Sequence, residues 1–339
     1  MNKLTKYGLT ALAGSLVATS VSAGELGVSG SWSWSYDAAD SDEVTGNPFS
    51  MGDSVTFSGS GETDQGWTAG VSYELDTGGS AYDDYSLTFT GSGETDQGWT
   101  AGVSLEVDGG TYDDMKLTLD MGDGGKLTFG HASVAGDGIH SVNNIVPAAD
   151  TAVYSMTDSA TAYGVADGAG AAGNIGYNIT MGDVKTSVEM AKGNGTDRSF
   201  GLTYTGVENM TLVYGMSEIN SGNVAGEQNE TVMGIKYAVG GATLAYMITE
   251  VDLPGSGAAD EDATHMGVSF AVNDDLTVSY GVQEVDITGK GEDERNSGFG
   301  ISYTMGSMSV AAYAGKTTDG NGVAGANDEG KGLTLSIAF

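Results

Sequence analysis

From residue 26 to Phe339 the chain alternates apolar and polar side chains with a period of two, and the 3.6-residue period of a helix is almost absent. In Trp67-Thr68-Ala69-Gly70-Val71-Ser72-Tyr73-Glu74-Leu75, one face is Trp, Ala, Val, Tyr and Leu, and the other is Thr, Gly, Ser and Glu. Residues 175–179, 266–272 and 299–305 repeat the pattern. Successive side chains of a strand point to opposite sides, so each segment is a β-strand with two unlike faces. A soluble sandwich also alternates, and three further features separate the two cases. The polar face is mostly Gly, Ser and Thr with a few charges, which suits a hydrated lumen. Short connections (Gly182-Asp183, Gly240-Gly241, Asn273 to Asp275, Gly306-Ser307) alternate with long acidic ones (Leu253 to Asp262, Ile287 to Asn296, Asp319 to Gly330), as they do in transmembrane barrels. Trp67 and Trp99 open strands, with Tyr73, Tyr204, Tyr237 and Tyr303 near the other borders, where interfacial rings belong.

The expected fold is therefore all-β: a transmembrane antiparallel β-barrel. The pattern predicts eighteen strands, at 26–36, 51–60, 67–75, 84–91, 99–107, 113–120, 126–131, 173–181, 184–191, 198–206, 210–219, 229–239, 242–252, 263–272, 276–286, 297–305, 308–317 and 331–339, with sixteen as the alternative. An even number lets the barrel close with both ends on the periplasmic side.

Composition narrows the function. The 339 residues carry 46 acids and 12 bases, for a formal charge of −34, which disfavours nucleic-acid binding. With no Cys there is no disulfide, cysteine zinc site or cysteine nucleophile. Residues 1–23 read as a cleaved signal peptide: Lys3 and Lys6, an apolar run from Gly8 to Val17, and Val21-Ser22-Ala23 as the cleavage site. Cleavage leaves ten bases against 46 acids, hence −36, in a single domain over 24–339. No later run is apolar for long enough to form a transmembrane helix.

Residues 59–72 and 91–104 are the same fourteen letters, GSGETDQGWTAGVS. The repeated unit, 57–88 and 89–118, is one hairpin. It is either a duplication without consequence or an enlargement by two strands, the step that keeps a barrel's parity. Between the seventh and eighth strands lie about 40 residues, 132–172, with Ile139, Val142, Ile145, Val146 and Pro147 in the middle. A connection this long is usually functional. In a barrel it folds into the lumen as a constriction loop, its apolar middle against the wall.

Four segments carry a family resemblance: Gly24-Glu25-Leu26-Gly27-Val28-Ser29-Gly30, Phe57 to Gly66, Gly125-Lys126-Leu127-Thr128-Phe129-Gly130, and the last strand Leu333 to Phe339. With these the mature chain resembles the Gram-negative general porins, especially the alphaproteobacterial branch. The resemblance implies an outer-membrane channel for passive diffusion of small hydrophilic solutes and ions. It also implies a homotrimer, surrounded by outer-membrane lipid and lipopolysaccharide, with an inward loop forming an eyelet. Leu333, Leu335, Ile337 and Phe339 are similar to the signal read by the outer-membrane insertion machinery. Family members usually have sixteen strands and the loop after the fifth; here it follows the seventh.

Candidate lining residues follow from phase. Met115, Leu117 and Leu119 face outward, so Lys116 faces inward with Asp114 and Asp120. The same test turns Lys126, Lys185, Lys236, Glu74, Glu106 and Glu189 inward. A lysine at mid-membrane on the lipid face would cost ~2–4 kcal/mol. The inner loop adds Asp137, Asp150, Asp158 and Asp167. Two readings stay open: loop carboxylates opposing wall lysines in a transverse field, or charges that are merely hydrated. Acidic rings favour cations, so cation preference is expected. The outer acids Asp37, Asp40, Asp42, Glu43, Asp260, Glu261, Asp262, Glu292, Asp293 and Glu294 are either a solvated surface or weak sites for Ca²⁺ or Mg²⁺ without EF-hand spacing. Otherwise no cofactor is expected. Enzyme chemistry has no support: His131, His140 and His265 lack metal-ligand spacing, and Gly168 to Gly173 and Gly325 to Lys331 match nucleotide motifs only by letter and precede strands. The rival is a secreted acidic, glycine-rich adhesin or surface-layer β-protein. Mass spectrometry of the exported protein is expected to find Gly24 as its first residue; an intact Met1 or Lys3 would remove the signal-peptide reading.

Overall fold

The computed structural model describes residues 26–39, 48–64, 66–76, 85–108, 111–130, 138–143, 145–147, 174–192, 196–220, 227–254 and 260–339. The strands are β1 (Leu26–Ala39), β2 (Phe49–Glu62), β3 (Thr68–Asp76), β4 (Tyr85–Glu94), β5 (Thr100–Asp108), β6 (Thr111–Asp120), β7 (Lys126–Gly130), β8 (Asn174–Met181) and β9 (Val184–Lys192). They continue as β10 (Thr196–Val207), β11 (Met210–Ile219), β12 (Gln228–Val239), β13 (Ala242–Asp252), β14 (Glu261–Ala271), β15 (Leu276–Ile287), β16 (Glu294–Met305), β17 (Met308–Thr318) and β18 (Asp328–Ala338). Each pairs antiparallel with its neighbours in sequence, and β1 pairs with β18, so the 18-stranded sheet is closed. Among the described residues the sheet has eighteen strands, not sixteen.

The expected strands all occur, and several run further at the long-loop end. β16 begins at Glu294 rather than 297 and β18 at Asp328 rather than 331. The added residues are polar. They rise above the apolar band, where the outward phase is taken by exposed Arg295 and Glu329, so the apolar face that the pattern relies on is gone. The short turns are tight: Gly182, Gly240 and Gly306 take φ of 60°, 58° and 62°, a conformation that favours glycine.

The outer face is apolar all the way round. Val71, Phe89, Val103, Leu117, Phe129, Met216, Met233, Leu244, Phe270 and Phe299 are all exposed. A monomer in water rarely exposes more than a few hundred Å² of continuous apolar surface, so this belt faces hydrocarbon. Trp67 and Trp99 stand on it beside the short turns. Tyr204, Tyr237 and Tyr303 lie near that same border, at the lower ends of β10, β12 and β16, and Tyr73 lies nearer the opposite one.

The duplicated hairpin is built twice in one register. Gly61 opposes Ala69 and Gly93 opposes Ala101. In each turn a threonine hydroxyl accepts from a tryptophan backbone N–H, Trp67 to Thr63 Oγ1 at 3.0 Å and Trp99 to Thr95 Oγ1 at 3.1 Å.

The seam between first and last strands is fastened at both ends. Gly30 and Phe339 exchange two backbone hydrogen bonds of 2.9 Å. The Phe339 ring covers Gly30, where a Cβ would come within 2.6 Å of it. Towards the long loops, Tyr313 on β17 lies across Gly332 on β18, and its hydroxyl donates to Asp37 on β1. Asp37 is thus a lumen-facing strand residue rather than part of a solvated outer loop. Removing the donor leaves a half-buried carboxylate without it, a loss of ~1–3 kcal/mol. Tyr313→Phe is expected to lower the midpoint of heat-induced unfolding on gel electrophoresis; an unchanged midpoint would show that the bridge carries no stability.

Candidate functional site

The inner wall falls into two differently built sectors. On β3–β6 it is charged. Val71, Tyr73 and Leu75 are exposed on the outer face, which turns Glu74 and Asp76 inward. Val103, Leu105 and Val107 do the same for Glu106 and Asp108. These four acids stand at an offset of 32, so the duplication doubled the Glu-x-Asp pair as well as the hairpin. Ser86 Oγ donates to Glu106 Oε1 at 2.9 Å. Met115 and Leu117 are exposed outside, so Lys116 faces in, and its Nζ pairs with Asp114 Oδ2 at 3.0 Å. That pairing takes up the Lys116 charge on its own strand.

On β9–β14 the inner wall is a seat. Val213, Val232, Ala245 and Met247 face inward and are buried with Ile139, Val142 and Val146 in one apolar cluster, against which Ile145 also packs. Ile139 and Val232 are 0% exposed. Fully burying a side chain of this size contributes ~1.5–3 kcal/mol, so the middle of the inner loop is held by a small hydrophobic core inside the barrel. The seat is deepened by wall glycines. A Cβ on Gly215 would stand 2.7 Å from Val142, one on Gly234 2.5 Å from Ile145, and one on Gly267 2.6 Å from Val146. Polar contacts set the register: Gly138 N–H donates to Ser187 Oγ at 2.7 Å, and Ile139 N–H to Ser199 Oγ at 3.3 Å. Gly138 has φ of 57°, and any Cβ there would run into Ser199.

Of the other lining candidates, Glu189 is 3% exposed and lies against Gly138, so it is covered by the loop. Lys126 and Lys185 are exposed at the short-turn ends of β7 and β9. Lys236 is half-buried, three residues from the lower end of β12. All three face inward, since Phe129, Val188 and Ile235 face out. The wall lysines therefore stand low and Glu74, Asp76, Glu106 and Asp108 stand high. Asp137, Asp150, Asp158 and Asp167 lie outside the described residues, as do residues 1–23. Leu333, Leu335, Ile337 and Phe339 share the outward phase of β18, opposite Tyr36, Trp34, Trp32 and Gly30.

Some of the outer acids are held by hydrogen bonds, while Asp262, Glu292 and Asp293 are exposed. Glu294 is 1% exposed on β16 and accepts from Asn296 Nδ2 and from the Asn321 N–H, both at 2.7 Å. Asp260 Oδ1 accepts from the Leu253 N–H at 3.0 Å. Glu261 and Asp262 belong to β14. Asp40, Asp42 and Glu43 lie outside the described residues. Among the described residues no three His, Asp or Glu side chains converge as metal ligands would.

The inward valines of the seat escaped the sequence reading, although a signal was present. At Leu212-Val213-Tyr214, Val232-Met233 and Leu244-Ala245-Tyr246-Met247-Ile248 the alternation fails and both phases are apolar. Apolar residues in both phases mark a strand buried on both sides.

A closed eighteen-stranded sheet with an apolar outside, a charged inner wall and a loop seated within it defines an outer-membrane channel. The description "Gram-negative porin" matches residues 80–324, and the chain belongs to that family. Among solved structures it is similar to a porin refined at 1.8 Å (TM-score 0.61, 16% identity, 93% of this chain and 100% of that one). It is similar also to OmpT, an outer membrane protein of Vibrio cholerae (0.60, 14%, 95% and 99%). A third is an anion-selective porin from Comamonas acidovorans (0.60, 13%, 93% and 99%). Identities this low show the shared fold alone. No curated protein matches the chain.

Gly234→Leu puts a branched side chain where Ile145 packs, and overpacking of this kind costs ~1–3 kcal/mol. It is expected to unseat the loop and change single-channel conductance while the barrel still folds. Unchanged conductance would mean that the seat does not set the width of the passage.

Proposed function

We propose that this porin passes small hydrophilic solutes and ions passively, down their gradients, and prefers cations. The carrying observation is the doubled acid pair. Glu74, Asp76, Glu106 and Asp108 face the lumen in the long-loop half of two hairpins, and the nearby lysine is already paired with Asp114. Negative walls raise the local concentration of cations and lower that of anions. The net charge of −34 acts in the same direction. The Comamonas relative is anion-selective on the same fold, so the sign of selectivity belongs to the lining and not to the barrel. Diffusion through such a lumen needs no catalytic group and no energy source.

The wall lysines Lys126, Lys185 and Lys236 add an opposing charge lower in the lumen, and with the acids above they orient dipolar solutes. In this reading the inner loop narrows the passage, and a homotrimer is the working assembly in lipopolysaccharide-containing membrane. Leu333, Leu335, Ile337 and Phe339 serve as the insertion signal, and the outer acids still free of partners take Ca²⁺ or Mg²⁺ only weakly.

The test is the reversal potential of the purified protein in a planar bilayer under a salt gradient. Cation preference is expected. It should weaken at 1 M salt, where the Debye length falls to ~3 Å, and drop in a Glu74→Gln/Glu106→Gln double variant. Anion preference in the wild type would overturn the assignment of sign.

A further inference from the structure

Residues 54–76 and 86–108 are one hairpin written twice. They differ at four positions: Val55 and Leu87, Ser58 and Thr90, Tyr73 and Leu105, Leu75 and Val107. Three of these exchange one outward apolar group for another, and Ser58 and Thr90 are both inward hydroxyls. The structure repeats the copy pair for pair. The ladder of β2 with β3, from Ser54↔Asp76 to Glu62↔Thr68, recurs in β4 with β5, from Ser86↔Asp108 to Glu94↔Thr100.

One copy can therefore leave without breaking a ladder. Removal of residues 59–90 joins Ser58 to Gly91 and restores the β2 sequence letter for letter, followed by the same turn and by β5. Gly91 then takes the place of Gly59 opposite Leu26 on β1, and β5 keeps β6 as its neighbour, with Leu105 still opposite Met115. Thr56 would face Glu106 as it now faces Glu74. The ring left behind has sixteen strands, an even number that closes.

The place of the copies around the ring decides what they add. β4 is nine strands from β13 in either direction. The inner loop is seated on β11–β14, so the copies stand across the lumen from it. Two strands at a spacing of ~4.8 Å and a tilt of ~40° add about 12 Å of perimeter and about 4 Å of diameter. The seat is untouched by this, so the gain falls in the gap between the loop and the acid wall. The second copy also lines that gap with Glu106 and Asp108 beside Glu74 and Asp76. A gap made wider and more negative in one step favours cations too bulky for the smaller ring.

We propose that the duplicated hairpin is the specificity determinant of this channel: it admits bulky organic cations, and either copy is dispensable for closing the barrel. The charge half of this rests on the cation-preferring reading above; the width half does not.

The test compares the wild type with two excised chains, one lacking residues 59–90 and one lacking 77–108, in planar bilayers. The probes are chloride salts of tetramethyl-, tetraethyl-, tetrapropyl- and tetrabutylammonium. The second excision keeps β3 in place of β5, so the two products differ only in carrying Tyr73 and Leu75 or Leu105 and Val107. Both are expected to fold into heat-modifiable barrels, to lower the size limit for permeant ammonium ions by up to ~4 Å in diameter, and to lose part of the cation-over-anion permeability ratio. Glu106→Gln/Asp108→Asn in the undeleted chain is expected to lower that ratio without lowering the size limit. Both readouts belong to a single barrel and do not depend on how many barrels stand together. Failure of both excised chains to fold would overturn the proposal, since the copies would not be interchangeable. An equal size limit in wild type and excised barrels would overturn it whatever the sign of selectivity. Anion preference in the wild type would overturn the charge half alone, together with the reading it rests on.

Discussion

A peptide group in hydrocarbon finds no water, and an unpaired N–H or C=O there costs several kcal/mol. The rest of this molecule depends on meeting that constraint. A chain with almost no helical periodicity has one way to meet it, which is to pair every strand on both sides and close the ring. The sheet does so through β1 and β18, and the seam is reinforced beyond its ladder. Phe339 closes the lower end against Gly30, and Tyr313 reaches over Gly332 to Asp37 near the upper end. Both fasteners use the same device, an aromatic ring laid over a glycine of the neighbouring strand.

Closure solves the outside and leaves the inside to be organised. The lumen is wide enough to accept a loop, and a loop inside a hydrated space needs a reason to stay. That reason is a local hydrophobic core. Val213, Val232, Ala245 and Met247 would be costly exposed to a wet lumen, and so would Ile139, Val142 and Val146 on a loop. Each set buries the other. The glycines at 215, 234 and 267 allow the loop to approach the wall closely. A barrel interior usually described by its polarity is thus held in shape by apolar packing over β11–β13. The opposite sector, β3–β6, carries the acids that the duplicated hairpin supplied twice.

Strand positions, direction and facing were readable along the chain because lipid on one side and water on the other impose a strict period of two. Where that contrast fades, so did the reading. The upper ends of β16 and β18 carry Arg295 and Glu329 in the outward phase instead of apolar residues, and were cut short. The seat residues were missed because their inner face is as apolar as their outer one, and the alternation rule treats that as noise. Glu294 and Asp37 were placed among the outer-loop acids, since nothing local distinguishes a carboxylate that will accept from Asn321 or Tyr313 from one that will meet only water.

The sequence by itself pointed to a closed β-barrel in a membrane and to which side chains face lipid, and it narrowed the strand count to eighteen or sixteen. Each of these follows from local alternation and turn spacing. The tertiary structure alone decided which inward groups meet: the loop on its glycine seat, Lys116 spent on Asp114, and Tyr313 bridging to Asp37. Such pairings join residues up to 276 positions apart in the chain. Only the ring, once closed, brings them within bonding distance.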